Sequence, residues 1–280
     1  MSLPKPYYDE GGITIFHGDC RDILPQLGDI ETIITDPVWP NAPADIGYAG
    51  ADNPGQLFKE MCKCLPRTLE RLVVQMGCDS DPRFLEGVPN WLRFLRVCWL
   101  DYARPSYKGR LLYTGDVAYA YGVPPAYIEG GHLMSGMCRS SRSDSMFHRK
   151  TAKRGLSWTG RNTIDALPHP SPRRLEHVKW LVHQFSDTQV IDPFAGSGTT
   201  IVAAKHLGRK AIGIEIEERF IEVAIVRLAQ EVLTLNIPWK KGGEYENRHS
   251  NLVDLSPDAE DHSGASDGQS PRPAFTAVGT

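Results

Sequence analysis

Asp36-Pro37-Val38-Trp39-Pro40 follows four residues, Thr32, Ile33, Ile34 and Thr35, that are all β-branched. A strand of the buried type thus ends in a carboxylate, a proline and a large flat ring. Taken alone, the pentapeptide also serves as a turn that buries a tryptophan. A second constellation is VIDPFAGSGTT, in which a strand over Gln189–Ile191 runs into Asp192, Gly196 and Gly198 before a helix opens at Thr199. Glycines there allow a sharp turn and let a ligand approach the backbone at a helix N-terminus. The spacing is Gly-x-Gly, short of the full dinucleotide fingerprint, and no P-loop lysine follows. Glu215 closes the next strand, 23 residues after Asp192, where an acid binds ribose hydroxyls. The glycine turn alone would be an ordinary strand–helix link. With the acid it points to a nucleoside cofactor.

Between Arg139 and Arg161 stand Arg139, Arg142, Arg149, Lys150, Lys153, Arg154 and Arg161 against one acid, Asp144, with Phe147 and Trp158 interleaved. Such a segment suits contact with phosphates, and equally a solvated basic loop. The formal charge of −3 for the 280 residues hides an asymmetry: residues 242–280 carry seven acids and two arginines, a balance of −5, which leaves +2 for residues 1–241. The tail is rich in Ser, Gly, Pro and Asp and is expected to be disordered. Six cysteines (Cys20, Cys62, Cys64, Cys78, Cys98, Cys138) show neither metal-site spacing nor a secreted framework, so reduced thiols in a cytoplasmic protein are expected, with no metal. The Cys62-Lys63-Cys64 triplet reads as part of a helix. No run has the length of a membrane span, and MSLPKPYYDEGG lacks the apolar core of a signal peptide.

The elements that must position these groups alternate. Ile13–His17 reads as a strand, followed by a helix carrying Ile23, Leu24 and Leu27. A loop from Asp36 to about Gly55 leads to a helix with Leu57, Phe58, Met61 and Leu65, then a buried strand over Arg71–Gly77. Leu92–Leu100 is a further strand, and Arg110–Gly122 supplies one or two more. Periodicity is lost from Val123 to Leu167. It returns in a helix over Arg174–Phe185, where Leu175, Val178, Leu181, Val182 and Phe185 share a face. Strand, glycine turn and helix follow, with Gly208 ending the helix; KAIGIEI is the next strand and EERFIEVAIVRLAQEVL the next helix. Strands alternating with helices imply an α/β fold, a parallel sheet covered on both faces.

DPFAGSGTT followed by GIEI resembles the S-adenosylmethionine site of the amino-methylating DNA methyltransferases. TDPVWP resembles their catalytic Asp-Pro-Pro-Tyr tetrad, LPHPSPRRLEHVKWLV their His-Pro-Thr-x-Lys-Pro segment, and GDC the Gly-Asp that precedes the tetrad. The order, tetrad early and cofactor loop late, is that of the circularly permuted β group. The resemblance covers about residues 13–60 and 165–230.

It implies a Rossmann-like, permuted, mainly parallel seven-stranded sheet in a catalytic domain over 1–241, with a target-recognition insertion at about 123–165. The implied reaction is methyl transfer from S-adenosylmethionine to the exocyclic amine of a flipped base in double-stranded DNA, adenine N6 by family association with Asp at the first tetrad position. Cytosine-N4 or RNA methylation, or a silent DNA-binding protein, are the alternatives. Asp36 and the Pro37 carbonyl would accept the amine hydrogens, and Trp39 would stack on the base. Asp192, Phe194, Gly196, Gly198, Thr199 and Glu215 would hold the cofactor, with Asp19 near its adenine and Ser171 and Arg173 near its carboxylate. His169 has a structural role. The basic segment would face DNA. A homodimer and a restriction partner stay open, and no membrane is involved. Two departures stand out: Val38 replaces the second proline, and Trp39 replaces tyrosine, as in the permuted RNA adenine methyltransferases.

Overall fold

The computed structural model describes residues 3–41, 49–50, 52–126, 134–140 and 173–229, without the side chains of 103–108. Strands β1 (Tyr8–Glu10), β2 (Ile13–His17), β3 (Thr32–Thr35) and β4 (Arg71–Gly77) precede a long hairpin of β5 (Phe94–Lys108) and β6 (Leu111–Gly122). After it come β7 (Met137–Arg139), β8 (Gln189–Asp192) and β9 (Lys210–Glu215). Helices α1 (Cys20–Ile23), α2 (Pro54–Lys63), α3 (Leu175–Phe185), α4 (Thr199–His206) and α5 (Glu218–Ala229) complete the frame. One sheet runs in the order β1-β2-β9-β8-β3-β4-β6-β5-β7. Pairing is antiparallel for β1–β2, β4–β6 and β5–β6 and parallel elsewhere.

The expected seven strands are therefore corrected to nine among the described residues. Short β1 and β7 extend the edges, each too brief to show a period of its own. The sheet is mixed, because β1 and β6 run against the other strands. The helix expected through Leu27 stops at Ile23 and tightens into a 3-10 turn over Leu24–Gln26, where Pro25 cannot continue the ladder.

Alternation along the buried strands feeds two cores. Ile34 and Val73 face Val178, Leu181, Phe185, Ile201 and Ile221 of α3–α5, whereas Ile33, Leu72 and Val74 face Ile23, Phe58 and Met61 of α1 and α2. Burying both faces explains the near-continuous apolar runs in β3 and β4. The crossover after β3 runs through α2 on one face, and that after β8 runs through α4 on the other. At the adjacent carboxyl ends of β3 and β8 the connections diverge, which opens the crevice where α/β sheets take ligands. The Thr35 hydroxyl donates to Asp192 Oδ1 at 2.7 Å and closes the floor of this seam.

At the opposite edge Arg71, 4% exposed, pairs with Glu31 and donates to the Phe185 and Val123 carbonyls. Glu31 in turn accepts the backbone N–H groups of Asp187 and Thr188. This network ties β3, β4 and the start of β8 together, and is structural. No helix among the described residues is long and apolar enough to cross a membrane.

Candidate active site

The carboxyl ends of β2, β9, β8 and β3 surround a cavity of about 310 Å³. Asp19, Asp36, Pro37, Trp39, Arg173, Phe194, Gly196 and Glu215 all line it. Residues far apart in the chain thus meet in one crevice, with Asp36 and Trp39 on one side and the glycine turn and Glu215 on the other.

Asp36 follows the last residue of β3, and its side chain is 23% exposed. Its Oδ1 accepts from Trp39 Nε1 at 2.8 Å, and its Oδ2 accepts from Arg173 Nε at 2.5 Å. Burial raises the Asp36 pKa, while the Arg173 charge and hydrogen bond oppose that rise. The Arg173 guanidinium lies over the Trp39 ring, 3.8 Å from its centroid, and also reaches Asp116 Oδ2 at 3.9 Å. Arg173, expected beside a cofactor carboxylate, contacts Asp36, Asp116 and Trp39 and lines the cavity.

Glu215 is 8% exposed at the end of β9. Its Oε2 accepts the Gly196 N–H at 2.7 Å, and its Oε1 accepts the Glu217 N–H at 2.9 Å. Burial raises its pKa, opposed by these backbone donors. A carboxylate has about four acceptor positions, so the two bonds leave capacity for hydroxyls in the cavity. Asp19 caps α1 by accepting the Arg21 N–H at 2.8 Å, and the Arg21 side chain holds its pKa down.

Three expected cofactor residues do not line this cavity, although Asp192 and Thr199 line a small one adjoining it. Gly198 adopts φ +75°, and a Cβ there would stand 2.6 Å from the Ala224 Cβ, so packing on α5 demands this glycine. The Thr199 hydroxyl accepts from Arg227 at 3.0 Å. Asp192, 2% exposed, accepts from the Thr35 hydroxyl and, at 3.1 Å, from the Phe194 N–H. It shapes the turn and lines only a small adjoining cavity. Ser171, Arg142, Arg149, Lys150, Lys153, Arg154 and Arg161 lie outside the described residues. Arg139 is described at the end of β7, paired with Asp101 at 3.2 Å.

The N6/N4 DNA methylase family model matches residues 142–226. The Type II methyltransferase M.ScaI of Streptomyces caespitosus is 34% identical over 275 residues, spanning 84% of this chain and 87% of that protein. The chain belongs to the N6/N4 DNA methylase family. Its fold agrees with that of the PvuII DNA methyltransferase (cytosine-N4-specific), at a TM-score of 0.59 and 16% identity over 82% of this chain and 91% of that one. It also agrees with the M1.HpyAVI–SAM complex, at a TM-score of 0.52 and 19% identity over 78% and 99%.

Three residues of this DNA methylase escaped the sequence reading. Asp116 is a lone acid in an otherwise apolar and aromatic strand, 7% exposed, and pairs in register with Gly77 at the carboxyl edge. Arg227 falls on the buried stripe of α5 and donates to the Ser197 carbonyl, the Ser197 hydroxyl and Thr199. Burial draws its pKa down to about 10. A polar residue interrupting an apolar pattern was the available signal in both cases.

Gly77 had no such signal. A Cβ on it would stand 2.6 Å from Trp39 Cζ3, so β4 ends in glycine to seat the indole. Gly77→Ala should therefore displace Trp39 and cut methylation by about tenfold, at a stability cost of about 1–3 kcal/mol from overpacking. Initial rates and thermal melts on the same preparation check this; an unchanged rate would separate Trp39 from turnover.

Asp192 makes a pH-dependent prediction. Burial pushes its pKa up to about 6, despite the Thr200 and Thr35 hydroxyls that favour the anion. The folded state then holds a proton that the unfolded state releases, so this group's contribution falls as pH rises from about 4 to about 6. Asparagine keeps an acceptor oxygen and carries no charge. Asp192→Asn should gain up to about 3 kcal/mol relative to wild type between pH 4 and pH 7. Denaturant melts at both pH values measure it, and a constant difference would contradict the raised pKa.

Proposed function

We propose that this DNA methylase transfers a methyl group from S-adenosylmethionine to the exocyclic amine of a base flipped out of duplex DNA, adenine N6 in particular. One observation carries the reading: the Asp36–Pro37–Trp39 group and the Gly196–Glu215 group line the same cavity. Glu215 retains acceptor capacity for ribose hydroxyls, Asp19 offers a second acid on the same wall, and Phe194 supplies an apolar surface. These residues fit the cofactor and would hold it, with Ser171 a further candidate for its carboxylate end. Bound there, S-adenosylmethionine supplies a methyl group activated by a sulfonium.

A base amine is a poor nucleophile because its lone pair is delocalised into the ring. Asp36 and the Pro37 carbonyl accept its two hydrogens and favour a pyramidal nitrogen whose lone pair is free to attack. Proline directs that carbonyl and has no N–H to give to the sheet. Trp39 offers the flat face on which an extruded base stacks. Asp36 serves only as an anion; burial raises its pKa, and the adjacent guanidinium opposes that rise.

The chain order, with β3 and Asp36 ahead of β8 and the glycine turn, supports a circularly permuted β-group arrangement. Residues 1–241 are assigned as the catalytic domain, about 123–165 as the target-recognition insertion and 242–280 as an acidic tail. Incubation with methyl-labelled S-adenosylmethionine and duplex DNA, followed by mass analysis of the nucleosides, should yield N6-methyladenine. N4-methylcytosine would move the assignment to the other amine, and no labelled base at all would remove it.

The basic segment makes a separate prediction. Neutralising Arg149, Lys150, Lys153 and Arg154 together should weaken DNA binding and flatten its salt dependence, by about 0.9 in the log–log slope for each lost phosphate contact. Cofactor affinity should hold. An unchanged slope in DNA titrations at several salt concentrations would make the segment a solvated loop.

A further inference from the structure

The seat that the proposed function gives to a flipped base is already filled by a side chain. Arg173 brings a planar guanidinium to 3.8 Å from the Trp39 ring centroid and donates from Nε to Asp36 Oδ2. Stacking on the ring and an N–H donated to the carboxylate are the two contacts an aminated base would make there. The chemical likeness is close. A guanidinium carries the flat N–C–N fork that a base presents through its exocyclic amine and the neighbouring ring nitrogen. The Cε3–Cζ3 side of the indole rests against Gly77, so the ring has little freedom to turn away from its occupant.

A second acceptor stands ready. Asp116 faces the same guanidinium from β6, 3.9 Å from Nη1, and its side chain is only 8% exposed. It is too far for a strong hydrogen bond in this arrangement, yet near enough to hold the charge if Nε leaves Asp36. Two acids share one arginine here, so the cation has somewhere to go without crossing an apolar region unpaired. A buried cation that lost its only partner would be strongly disfavoured.

Resting on the reading of Asp36 and Trp39 as the base seat, we propose that Arg173 occupies that seat in the DNA-free protein as a stand-in for the base. When the target base enters, Arg173 retires onto Asp116. Arg173 is then a positioning residue: it fills the seat between Asp36 and Trp39 until the base exchanges with it. Asp116 is the acceptor that makes the exchange reversible.

The test needs no knowledge of the recognition sequence, because the seat itself can be titrated with a free base. Calorimetry or saturation-transfer NMR with 9-methyladenine should detect binding to Arg173→Ala at least tenfold tighter than to the wild-type chain. Arg173→Lys, which keeps the charge and lacks the plane, should lie between them. N6,N6-Dimethyl-9-methyladenine has no N–H to donate to Asp36 and should gain nothing. A merely structural arginine would give the opposite sign, since its loss would loosen the seat and weaken base binding. Thermal melts and S-adenosylmethionine affinity on each variant establish that it is folded.

If the wild-type chain methylates DNA amines while neither variant gains base affinity, the stand-in is wrong and the proposed function survives. If the wild-type chain methylates nothing and the variants bind no base, there is no base seat and both ideas fall. Gained affinity in Arg173→Ala supports the stand-in in either case.

Discussion

Asp36→Ala should lower methyl transfer by at least ~100-fold, the scale of losing one strong electrostatic contact at a reacting centre. The carboxylate is the charged acceptor available to the incoming amine, and neither Trp39 Nε1 nor Arg173, both donors, can replace it. Cofactor affinity should be largely unchanged, because Glu215 and the glycine turn take their hydrogen bonds from each other and none from Asp36. Arg173 keeps Asp116 as a partner in the variant, which limits the structural penalty. Asp36→Asn, with an acceptor oxygen and no charge, should fall between the two. Labelled-methyl incorporation into duplex DNA and calorimetric cofactor binding, on the same folded protein, separate the two effects. Near wild-type incorporation in Asp36→Ala would sink the tetrad assignment.

The features legible in the sequence were those that repeat or punctuate. The β-branched and apolar runs in Thr32–Thr35 and Arg71–Gly77, the 3.6-residue stripe of α3 and the glycine turn after β8 each carry their own local pattern, and the structure forms each near its expected bounds. What local pattern could not carry was pairing. β1 and β7 are three residues each and exist because β2 and β5 offer them an edge.

The same division runs through the site. Asp36 and Trp39 were visible because they follow a recognisable strand, and Glu215 because it ends one. Asp116 and Gly77 acquire meaning only from their cross-strand register, in which the acid faces the glycine beneath the indole. Gly198 was visible as part of a sharp turn, which its φ of +75° matches, but the room its missing Cβ leaves for Ala224 of α5 was not. Arg173 was legible as a cation near the site, but its partner depends on how residues 137 positions apart are brought together, which no spacing encodes.

Glu215 gives the second large effect, and here two substitutions say more than one. Its carboxylate accepts the N–H groups of Gly196 and Glu217, so it braces the turn as well as facing the cavity. Glu215→Ala frees both buried donors and removes the acceptor for ribose hydroxyls, and S-adenosylmethionine binding should weaken by about 1.5–3 kcal/mol. That is roughly 10- to 150-fold in dissociation constant. Glu215→Gln retains one acceptor oxygen but loses the charge that strengthens hydrogen bonds from ligand hydroxyls. If the acid binds the ribose, glutamine should lose a substantial part of the affinity while melting close to wild type. If the acid only braces the turn, the affinity loss in each variant should follow its loss of stability. Calorimetry paired with thermal melts distinguishes these outcomes. Unchanged affinity in both variants would remove Glu215 from the cofactor site and leave it as the residue that ties β9 to the glycine turn.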